Sequence, residues 1–527
     1  MMQRTLWTTL LALPLFTTAV IVPADPENNI TWPYHEFKTV DFNPPLVNMT
    51  DPSASSLAPG YIFFAPDGAT PFQESPLIVD QDGELVWNGP VPSHAFNFGV
   101  YEYKGEKVLG WWNGTLFPEP VGRGNGVIHL LDNSYNDIAT VRLAGNFLEL
   151  NPGVTYQSNI DVHELFITSK DTMVVTANNV TQADLSSVGG PVNGWTVDAQ
   201  VYEIDIETNE VLFSWSYLDH LDAIPFTAAI LPLGAEGFTG QNQSLAWNPF
   251  HINSAEPYNG GYILSSRYFC SAIAIDGSGE VVWRLSGREG GDYALVGSDD
   301  VTGFCFQHDI RLVEERDSGL TIRMHDNHNS PIENNTVPST AKILDLNFDT
   351  MEASLVERYF NESGLIFSTA QANYQPLPNG NHFIGRGWVP VMEEFSPAGE
   401  PLNTIQFGAA EPRPGGGYFS AEAPTLSYRD FKQPWVGCPE TAPDVVAESS
   451  SEGTTVYVSW NGATEVTSWA VYGGNAVSKL KHLKTVPKMG FETEVAIGSV
   501  KYVQVKPVMK QGCACKTTKS SSAVAVA

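Results

Sequence analysis

The segment SAIAIDGSGEVVW at 271–283 contains an apolar strand, a turn rich in Asp, Gly and Ser, and a second strand ending in Trp. Two short apolar strands around such a turn are typical of a β-hairpin. Similar hairpins recur at PLIVDQDGELVW (76–87), GVIHLLDNSYNDIATVRL (126–143), AQVYEIDIETNEVLFSW (199–215), AKILDLNFDTMEASLVERY (341–359) and VMEEFSPAGEPLNTIQF (391–407). A second hairpin precedes most copies, so six units of four strands predict a six-bladed β-propeller over residues 58–437.

The repeat ends near Cys438, and the remaining residues 438–527 have a different character. TTVYVSWNGATEVTSWAVYGG alternates with period two, which predicts a small fibronectin type III-like β-sandwich with Trp460, Trp469 and Tyr502 as core aromatics. Nine of the chain's 28 Lys and Arg residues follow residue 478, which also indicates a separate C-terminal unit. The fold class is therefore predicted to be all-β, with the sandwich acting as a spacer or a binding module.

Charge and the N-terminal residues predict the setting of the protein. A net charge of −31 over 527 residues disfavours nucleic acid and anionic membranes as partners. Arg4 and the apolar run from Leu6 to Val22 predict a signal peptide at 1–19, followed by an N-terminal extension at 20–57. We therefore expect a secreted protein without stable membrane insertion, a retained anchor being the alternative. The oligomeric state stays open.

Sequons and cysteines agree with a secretory route. Seven Asn-x-Ser/Thr sequons predict glycosylation, at Asn29, Asn48, Asn113, Asn179, Asn242, Asn334 and Asn361. Five cysteines leave one thiol unpaired in an oxidising compartment. Cys270 and Cys305, in adjacent repeats, are the expected pair. Cys438 is expected to pair within the final Cys-Ala-Cys, which alternatively forms a redox or metal pair.

Histidines recur where the first strand of successive blades is predicted to begin, at His94, His163, His251 and His308. First strands line the central channel of a propeller, so residues at their starts converge at one mouth. Sixteen or seventeen residues later the chain returns to that mouth, which brings Arg267 and His325 there, with Asn179 and Trp388 at the equivalent positions. Imidazole, guanidinium and amide donors in one pocket are typical of an oxyanion site.

The stretches FHINSAE, LSSRYFCSAIAID and FQHDIRL, with DVHELF upstream, resemble the arylsulfate sulfotransferase family, and its fungal arylsulfotransferase-like branch most closely. The resemblance covers about residues 58–430. It implies transfer of a sulfuryl group between phenolic small molecules through a sulfohistidine, with neither a nucleotide donor nor a cofactor. It implies His308 as the nucleophile, His251 and Asn253 as ligands of the sulfuryl oxygens, Arg267 as the charge-stabilising group and His163 as the acid/base. We expect His94, His325 and Trp388 to contact the substrate.

Three other functions fit the same residues. The histidines would also serve acid–base dehydration or cyclisation of a phenolic or tropolone-like natural product. Three imidazoles would hold Zn²⁺ or Cu²⁺, although the charge of Arg267 disfavours a metal and none is predicted. A non-catalytic propeller would bind a glycan or a phenol through exposed aromatics such as Trp111, Trp112 and Trp388.

Overall fold

The computed structural model describes residues 21, 32–51, 53–68, 71–91, 93–117, 122–297, 301–330, 337–413, 415–419, 425–515 and 518–527. The predicted signal peptide and the sequons at Asn29 and Asn334 lie outside these residues. The described part is all-β, as expected, and its helices are short 3-10 turns at Ser186–Val188, Tyr217–His220, Phe226–Ala228, Ala235–Gly237, Gln243–Leu245 and Val477–Lys479. Within the described residues, none of these helices has the length and apolar character needed to cross a bilayer.

Six antiparallel groups of four strands make up the chain before residue 438, and we number them sheets 1 to 6. Sheet 1 contains Phe431–Gln433, Tyr61–Phe64, Leu77–Val79 and Leu85–Asn88. Sheet 2 contains Ala95–Tyr103, Glu106–Leu116, Gly124–Leu131 and Asp137–Val141. Sheet 3 contains Ile160–Ile167, Thr172–Ala183, Gly194–Asp205 and Val211–Ser216. A single pairing of Gly126 with Ile160 joins sheets 2 and 3.

The other three sheets continue the same order. Sheet 4 contains Ile252–Tyr258, Gly261–Ser266, Ser271–Ile275 and Val281–Ser286. Sheet 5 contains His308–Arg316, Gly319–Asp326, Thr340–Asn347 and Glu352–Tyr359, with Ala294–Val296 added in parallel at its edge. Sheet 6 contains Asn373–Pro376, His382–Gly385, Val391–Phe395 and Pro401–Gln406, with Asn48–Met49 at its edge. Ile366–Phe367, Tyr418–Phe419 and Glu411–Pro412 form a small separate sheet.

The recurring turn of the sequence has a specific geometry. In the hairpins at 76–87 and 271–283, the amide N–H of Gly83 donates to the Asp80 carbonyl at 3.1 Å, and that of Gly279 donates to Asp276 at 3.0 Å. Both glycines have positive φ, 82° and 92°, a region that side chains disfavour. The Asp276 carboxylate also accepts the amide of Ser278 at 2.8 Å. The Asp and Gly of the repeat thus fix the length of the turn, and with it the strand register.

Apolar residues join the sheets in cyclic order. Separate buried clusters lie between sheets 1 and 2, 2 and 3, 3 and 4, 4 and 5, and 5 and 6. A further cluster joins sheet 6 back to sheet 1 through Phe383, Met392, Ile62 and Leu77. Strand 431–433 comes from the end of this part of the chain, yet it pairs with strand 61–64 near its start. The two ends are therefore held together by backbone hydrogen bonds.

Residues after 438 form two further sheets. One contains Asp444–Ser450, Gly453–Ser459 and Glu492–Ile497, and the other contains Lys481–Pro487, Val466–Gly474, Tyr502–Met509 and Val524–Ala525. Trp460 and Trp469 are buried in the core between them, as expected, whereas Tyr502 is only half-buried. The expected core position of Tyr502 is therefore wrong, because its strand begins there at the margin of the sheet.

The C-terminal sheets are fixed to sheet 1 by direct contacts. The Gly462 amide donates to the Val86 carbonyl at 2.8 Å, and the Asn461 side chain exchanges two hydrogen bonds with the Asn88 backbone. Both expected disulfides are present: Cys270 pairs with Cys305, and Cys438 pairs with a cysteine of the terminal Cys-Ala-Cys, Cys515. Cys513 keeps the free thiol.

Candidate active site

A cavity lies where the first strands of sheets 3, 4 and 5 begin. The cavity has a volume of about 100 Å³, and its walls include His163, His251, Arg267 and His308. The aromatic part of the wall is formed by Phe96, Phe117, Tyr268, Trp388 and Tyr428. Four of the five residues that the family resemblance implied as catalytic thus meet in one place, and the lining residues within the described part of the chain run from Asp67 to Tyr428.

His308 begins the first strand of sheet 5, and its ring is fixed by hydrogen bonds. Nδ1 lies 2.8 Å from Oδ1 of Asn327 and 3.1 Å from the Phe306 carbonyl oxygen. The Asn327 amide nitrogen donates to the Ser368 and Gln371 carbonyls, which leaves its oxygen for His308. Both neighbours of Nδ1 are acceptors, so Nδ1 carries the proton and Nε2 carries a lone pair.

The Nε2 lone pair accepts a hydrogen bond from the Gln371 backbone N–H at 3.1 Å. Burial, and then the charge of Arg267, lower the pKa of His308 well below its ordinary value. A neutral imidazole of this kind is a nucleophile once the hydrogen bond to its Nε2 lone pair is released. Gln371 and Ala372 both have positive φ, 63° and 91°, so the loop that carries this amide adopts a conformation that non-glycine residues rarely take.

His163 and Asp161 form a hydrogen-bonded pair on strand 160–167. Nδ1 of His163 bonds Oδ2 of Asp161, and Oδ1 of this fully buried carboxylate accepts the Gly124 amide at 3.1 Å. Burial raises the pKa of Asp161, but the charge and hydrogen bond of His163 outweigh it and hold that pKa below its usual range. The carboxylate therefore fixes the Nδ1 proton and leaves Nε2 of His163 for the cavity.

His251 lies beside His163 in the cavity wall. Its ring centroid is 4.9 Å from that of His163, edge to face, and its backbone has a φ of 48°. Burial lowers the pKa of His251 well below the ordinary value, and the charges of His163 and Arg267 lower it further. His251 is thus a neutral group at neutral pH, which donates or accepts a single hydrogen bond in the cavity.

Arg267 lies opposite His251 in the sheet, since the Arg267 amide donates to the His251 carbonyl at 3.0 Å. Nη1 of Arg267 donates to the Tyr268 hydroxyl at 3.0 Å, and Nη2 donates to the Thr369 carbonyl at 2.7 Å. Nε has no partner among the described residues. The spacing of sixteen residues correctly predicted that His251 and Arg267 meet.

Three predicted residues lie outside the cavity wall. Asn253 is fully buried behind the wall and donates to the Gln307 carbonyl at 2.7 Å, just before His308. His325 is the register partner of His308 and is fully buried, with Nε2 3.4 Å from Arg386, so it does not line the cavity. Asn179 accepts the Leu148 amide at 2.9 Å instead of facing the cavity.

His94 precedes the first strand of sheet 2, as predicted, but its side chain turns to Asp67 and Glu74, at 2.8 and 3.7 Å. Within the described residues, Asp67, Glu74 and His94 form a group whose possible metal-ligand atoms all lie within 4.8 Å of one another. The three cavity histidines do not form such a group. The predicted convergence of His94 with the other histidines is therefore wrong.

The predicted aromatic binding face is wrong in two of its three members. Trp111 and Trp112 are 3% and 0% exposed and belong to the apolar clusters between the sheets. Successive side chains of a strand point to opposite faces of the sheet, so both tryptophans are buried because this sheet is packed on both faces. Trp388 does line the cavity, and its Nε1 is buried with no partner in the described part of the chain.

The described sequons differ in exposure. Asn48 and Asn242 are exposed. Asn113, Asn179 and Asn361 are half-buried, and the Asn361 amide donates to Glu393 at 3.1 Å. Glycosylation at these positions stays a prediction.

A buried ionic network lies beneath the histidines. Oε1 of Glu164 accepts hydrogen bonds from Arg311 and Arg429, both at 2.9 Å, and its Oε2 accepts the Ala255 amide at 2.8 Å. Asp309 accepts from Arg311 at 2.8 Å. Glu164 directly follows His163, and Asp309 directly follows His308, so this network ties together the strand ends that carry both histidines.

Sequence reasoning missed several residues of the site. Asp161 stands two residues before His163, a spacing that places both on one face of the strand and offered a usable signal. Asn327 and Gln371 lie on loops between strands, where no repeat marks them. Arg123 also lines the cavity and is 2% exposed, and all three of its side-chain nitrogens lack a hydrogen-bond partner in the described structure.

Comparisons with known proteins bear on this site. A family model described as arylsulfotransferase (ASST) matches residues 99–408. No curated protein matches the chain. Among solved structures, the chain is similar to the Pseudomonas aeruginosa periplasmic gluconolactonase PpgL, with 11% identity, a TM-score of 0.30, and coverage of 67% of this chain and 97% of that one. It is also similar to the Trypanosoma rangeli sialidase, with 10% identity, a TM-score of 0.32, and coverage of 93% and 85%.

Proposed function

The chain belongs to the arylsulfotransferase family, and from that premise we propose that its cavity transfers a sulfuryl group from an aryl sulfate to a phenol through a sulfohistidine at His308. The observation that carries the proposal is the state of His308. Its Nδ1 is bound by two acceptors, its pKa is held low by burial and then by the charge of Arg267, and its Nε2 lone pair is engaged by the backbone N–H of Gln371, which lines the same cavity. These are the properties that a nitrogen nucleophile needs at neutral pH.

The first half-reaction forms an N–S bond and breaks an S–O bond. The Nε2 lone pair of His308 attacks sulfur, and the electron pair of the S–O(aryl) bond goes to the departing oxygen. His163 gives its Nε2 proton to that oxygen, so phenol leaves as a neutral molecule. A positioned general acid typically contributes about 10²–10⁴-fold to such a step. Asp161 holds the His163 ring in place throughout.

The second half-reaction reverses these roles on an acceptor phenol. His163 removes the acceptor proton, the acceptor oxygen attacks sulfur, and the N–S bond breaks to restore the His308 lone pair. Arg267 and His251 face the sulfuryl oxygens in this proposal, because donors fixed before the reaction stabilise charge without reorganisation. Asn253 acts as a positioning residue, since its amide is already used on the Gln307 carbonyl.

Access to His308 requires a local change. The Gln371 N–H occupies the Nε2 lone pair, so an aryl sulfate reaches it only after the 369–372 loop shifts. The same amide then faces the new sulfuryl group and donates to one of its oxygens. The positive φ values of Gln371 and Ala372 locate the strain in this loop.

A second function follows from that same hydrogen bond. Acid–base dehydration or cyclisation of a phenolic substrate uses the His163–Asp161 pair and leaves the His308 lone pair with Gln371. In that case substrate turnover continues without a covalent intermediate, and His308→Ala affects it less than Asp161→Asn.

The apolar packing between the sheets also bears on the architecture. We propose that sheets 1 to 6 are the blades of a six-bladed propeller over residues 58–437, because their apolar clusters close a cycle. We also propose that the C-terminal residues 438–527 form a fibronectin type III-like module; their packing as one three-stranded and one four-stranded antiparallel sheet around a common core supports this. The two disulfides are consistent with a secreted protein, and membership of the fungal branch stays a prediction.

The experiment is a transfer assay with p-nitrophenyl sulfate as donor and phenol as acceptor. We expect nitrophenol release that depends on phenol, and formation of phenyl sulfate in equal amount. His308→Ala should abolish both, whereas His129→Ala, a half-exposed histidine paired with Asp137 outside the cavity, should retain them. Equal rates in wild type and His308→Ala would refute the proposal.

A further inference from the structure

The guanidinium of Arg123 is a buried cation that packs over the Phe117 ring, 5.5 Å from its centroid, but makes no hydrogen bond to a described residue. Only 2% of the residue is exposed, and Nε, Nη1 and Nη2 all lack hydrogen-bond partners among the described residues. Glu149 is the carboxylate beside it, but the ion-pair distance is 3.8 Å, too long for a hydrogen bond. Oε1 of Glu149 is engaged by Asn125 at 2.6 Å. A buried cation with five unused N–H donors is unfavourable unless an anion completes it.

The contacts of Arg123 associate it with His163 rather than with His308. Arg123 precedes Gly124, whose amide donates to Asp161, the partner of His163. Arg267 instead bonds the Thr369 carbonyl, two residues before Gln371, whose amide reaches His308. Arg267 therefore belongs to the His308 side of the cavity, and Arg123 belongs to the His163 side, where the phenolic oxygen of the substrate lies in the proposed mechanism.

Arg123 also borders a second space. A smaller pocket beside the cavity is lined by Arg123, Leu150, Leu231, Phe238 and Tyr268, among others. Arg123, Glu236 and Tyr268 line both spaces. Burial beside apolar residues such as Leu150 and Phe238 lowers the local dielectric, so an anion bound to this guanidinium is more strongly attracted than at an exposed site.

We propose that Arg123 is an anion-binding subsite for a carboxylate carried on the aromatic ring of the substrate, so that the cavity accepts phenolic acids in preference to neutral phenols. A planar carboxylate matches the fork of the guanidinium and accepts two parallel N–H bonds. The inference rests on the proposed function for the phenolic part of the ligand. The carboxylate subsite itself needs only binding.

Binding is measured by calorimetry without any sulfate donor, so the result does not depend on transfer. The probes are the three hydroxybenzoate isomers, their methyl esters and phenol. For wild type we expect at least one isomer to bind at least about 10-fold more tightly than its methyl ester, as two charge-assisted hydrogen bonds require. Equal affinity for acid and ester in all three pairs would overturn the proposal, whatever any variant does.

Variants then assign the preference to Arg123. Arg123→Gln should lose the acid preference and change phenol affinity less than about twofold, since only the charge-assisted bonds are removed. Glu149→Gln is the matched control, and it should keep or tighten acid binding, because it leaves Arg123 less compensated. Loss of acid binding in Glu149→Gln equal to that in Arg123→Gln would show a structural ion pair instead. Arg123→Gln weakening p-nitrophenyl sulfate as much as hydroxybenzoate would also overturn the proposal, because Arg123 would then bind the sulfuryl group.

Discussion

Removal of the Glu164 carboxylate is expected to destabilise the protein by about 3–5 kcal/mol, the range for breaking one side of a buried ion pair. Glu164 is fully buried and accepts from Arg311, Arg429 and the Ala255 amide. Each bond to a charged group contributes about 1.5–3 kcal/mol, so the two guanidinium bonds alone account for this range. In Glu164→Ala, two buried cations are left with Asp309 as their one shared carboxylate partner among the described residues, so one positive charge is uncompensated.

The assay is urea unfolding followed by intrinsic fluorescence, with hydrogen exchange of peptides from strands 160–167 and 252–258. Glu164→Ala should lower the free energy of unfolding and expose both strands to exchange, because the network joins their ends. Adding Arg311→Met should recover part of the loss, since it removes one unpaired charge. Glu448→Ala, which breaks the exposed pair with Lys38, should change little. A loss below about 1 kcal/mol in Glu164→Ala would refute the assigned role of the network.

Three further predictions concern the site, pH and the C-terminal sheets. Asp161→Asn should slow transfer from phenyl sulfate about 10²–10⁴-fold, and slow transfer from p-nitrophenyl sulfate less, because nitrophenol leaves without a proton; equal effects on both donors would contradict general-acid catalysis. Burial, and then the charge of Arg386, lower the pKa of His325 to about 3 in the folded protein. In the unfolded chain the His325 side chain binds a proton below about pH 6.5, whereas in the folded protein it stays neutral in that range. Stability should therefore fall as pH drops from 7 to 5, by about 2 kcal/mol more in wild type than in His325→Gln, as measured by urea unfolding at each pH; parallel curves would contradict this. Cys515→Ser removes a disulfide that joins residues 77 positions apart in the sequence. It should lower the free energy of unfolding of the C-terminal sheets, measured in urea, by about 2–5 kcal/mol and leave transfer activity unchanged. Loss of activity would instead place the C-terminal unit in the site.

The repeat made much of the architecture predictable. Each hairpin copy carries its own turn chemistry, such as Asp276 and Gly279, so strand positions follow from local sequence. The same periodicity placed His163, His251 and His308 near the starts of the first strands of successive sheets, and it paired Arg267 with His251. Cys270 and Cys305 were predictable for this reason too, because adjacent repeats lie side by side.

Side-chain direction was less predictable than position. His94 occupies the expected strand start, yet Asp67 and Glu74 provide a nearer electrostatic partner and turn it away. His325 returns to the correct level of the sheet, but it pairs behind His308 and faces Arg386. Trp111 and Trp112 lie in a strand whose two faces are both buried. The repeat pattern of the sequence does not distinguish such a strand from one with a solvent-exposed face.

Loop residues could not be predicted at all. Gln371 and Arg123 contact the cavity from segments whose conformation depends on tertiary packing rather than on period. Asn327 fixes the tautomer of His308 across a sequence separation of 19 residues. No periodic signal marks such a pair.

The central claim is that His308 forms a covalent bond to sulfur, and intact-mass spectrometry tests it directly. Deglycosylated protein is incubated with p-nitrophenyl sulfate without acceptor, then digested and mapped. We expect a gain of one sulfuryl group on the peptide that contains His308, its absence in His308→Ala, and its loss on adding phenol. Nitrophenol release with no adduct on that peptide would contradict the covalent mechanism, and neither release nor adduct would contradict sulfuryl transfer itself.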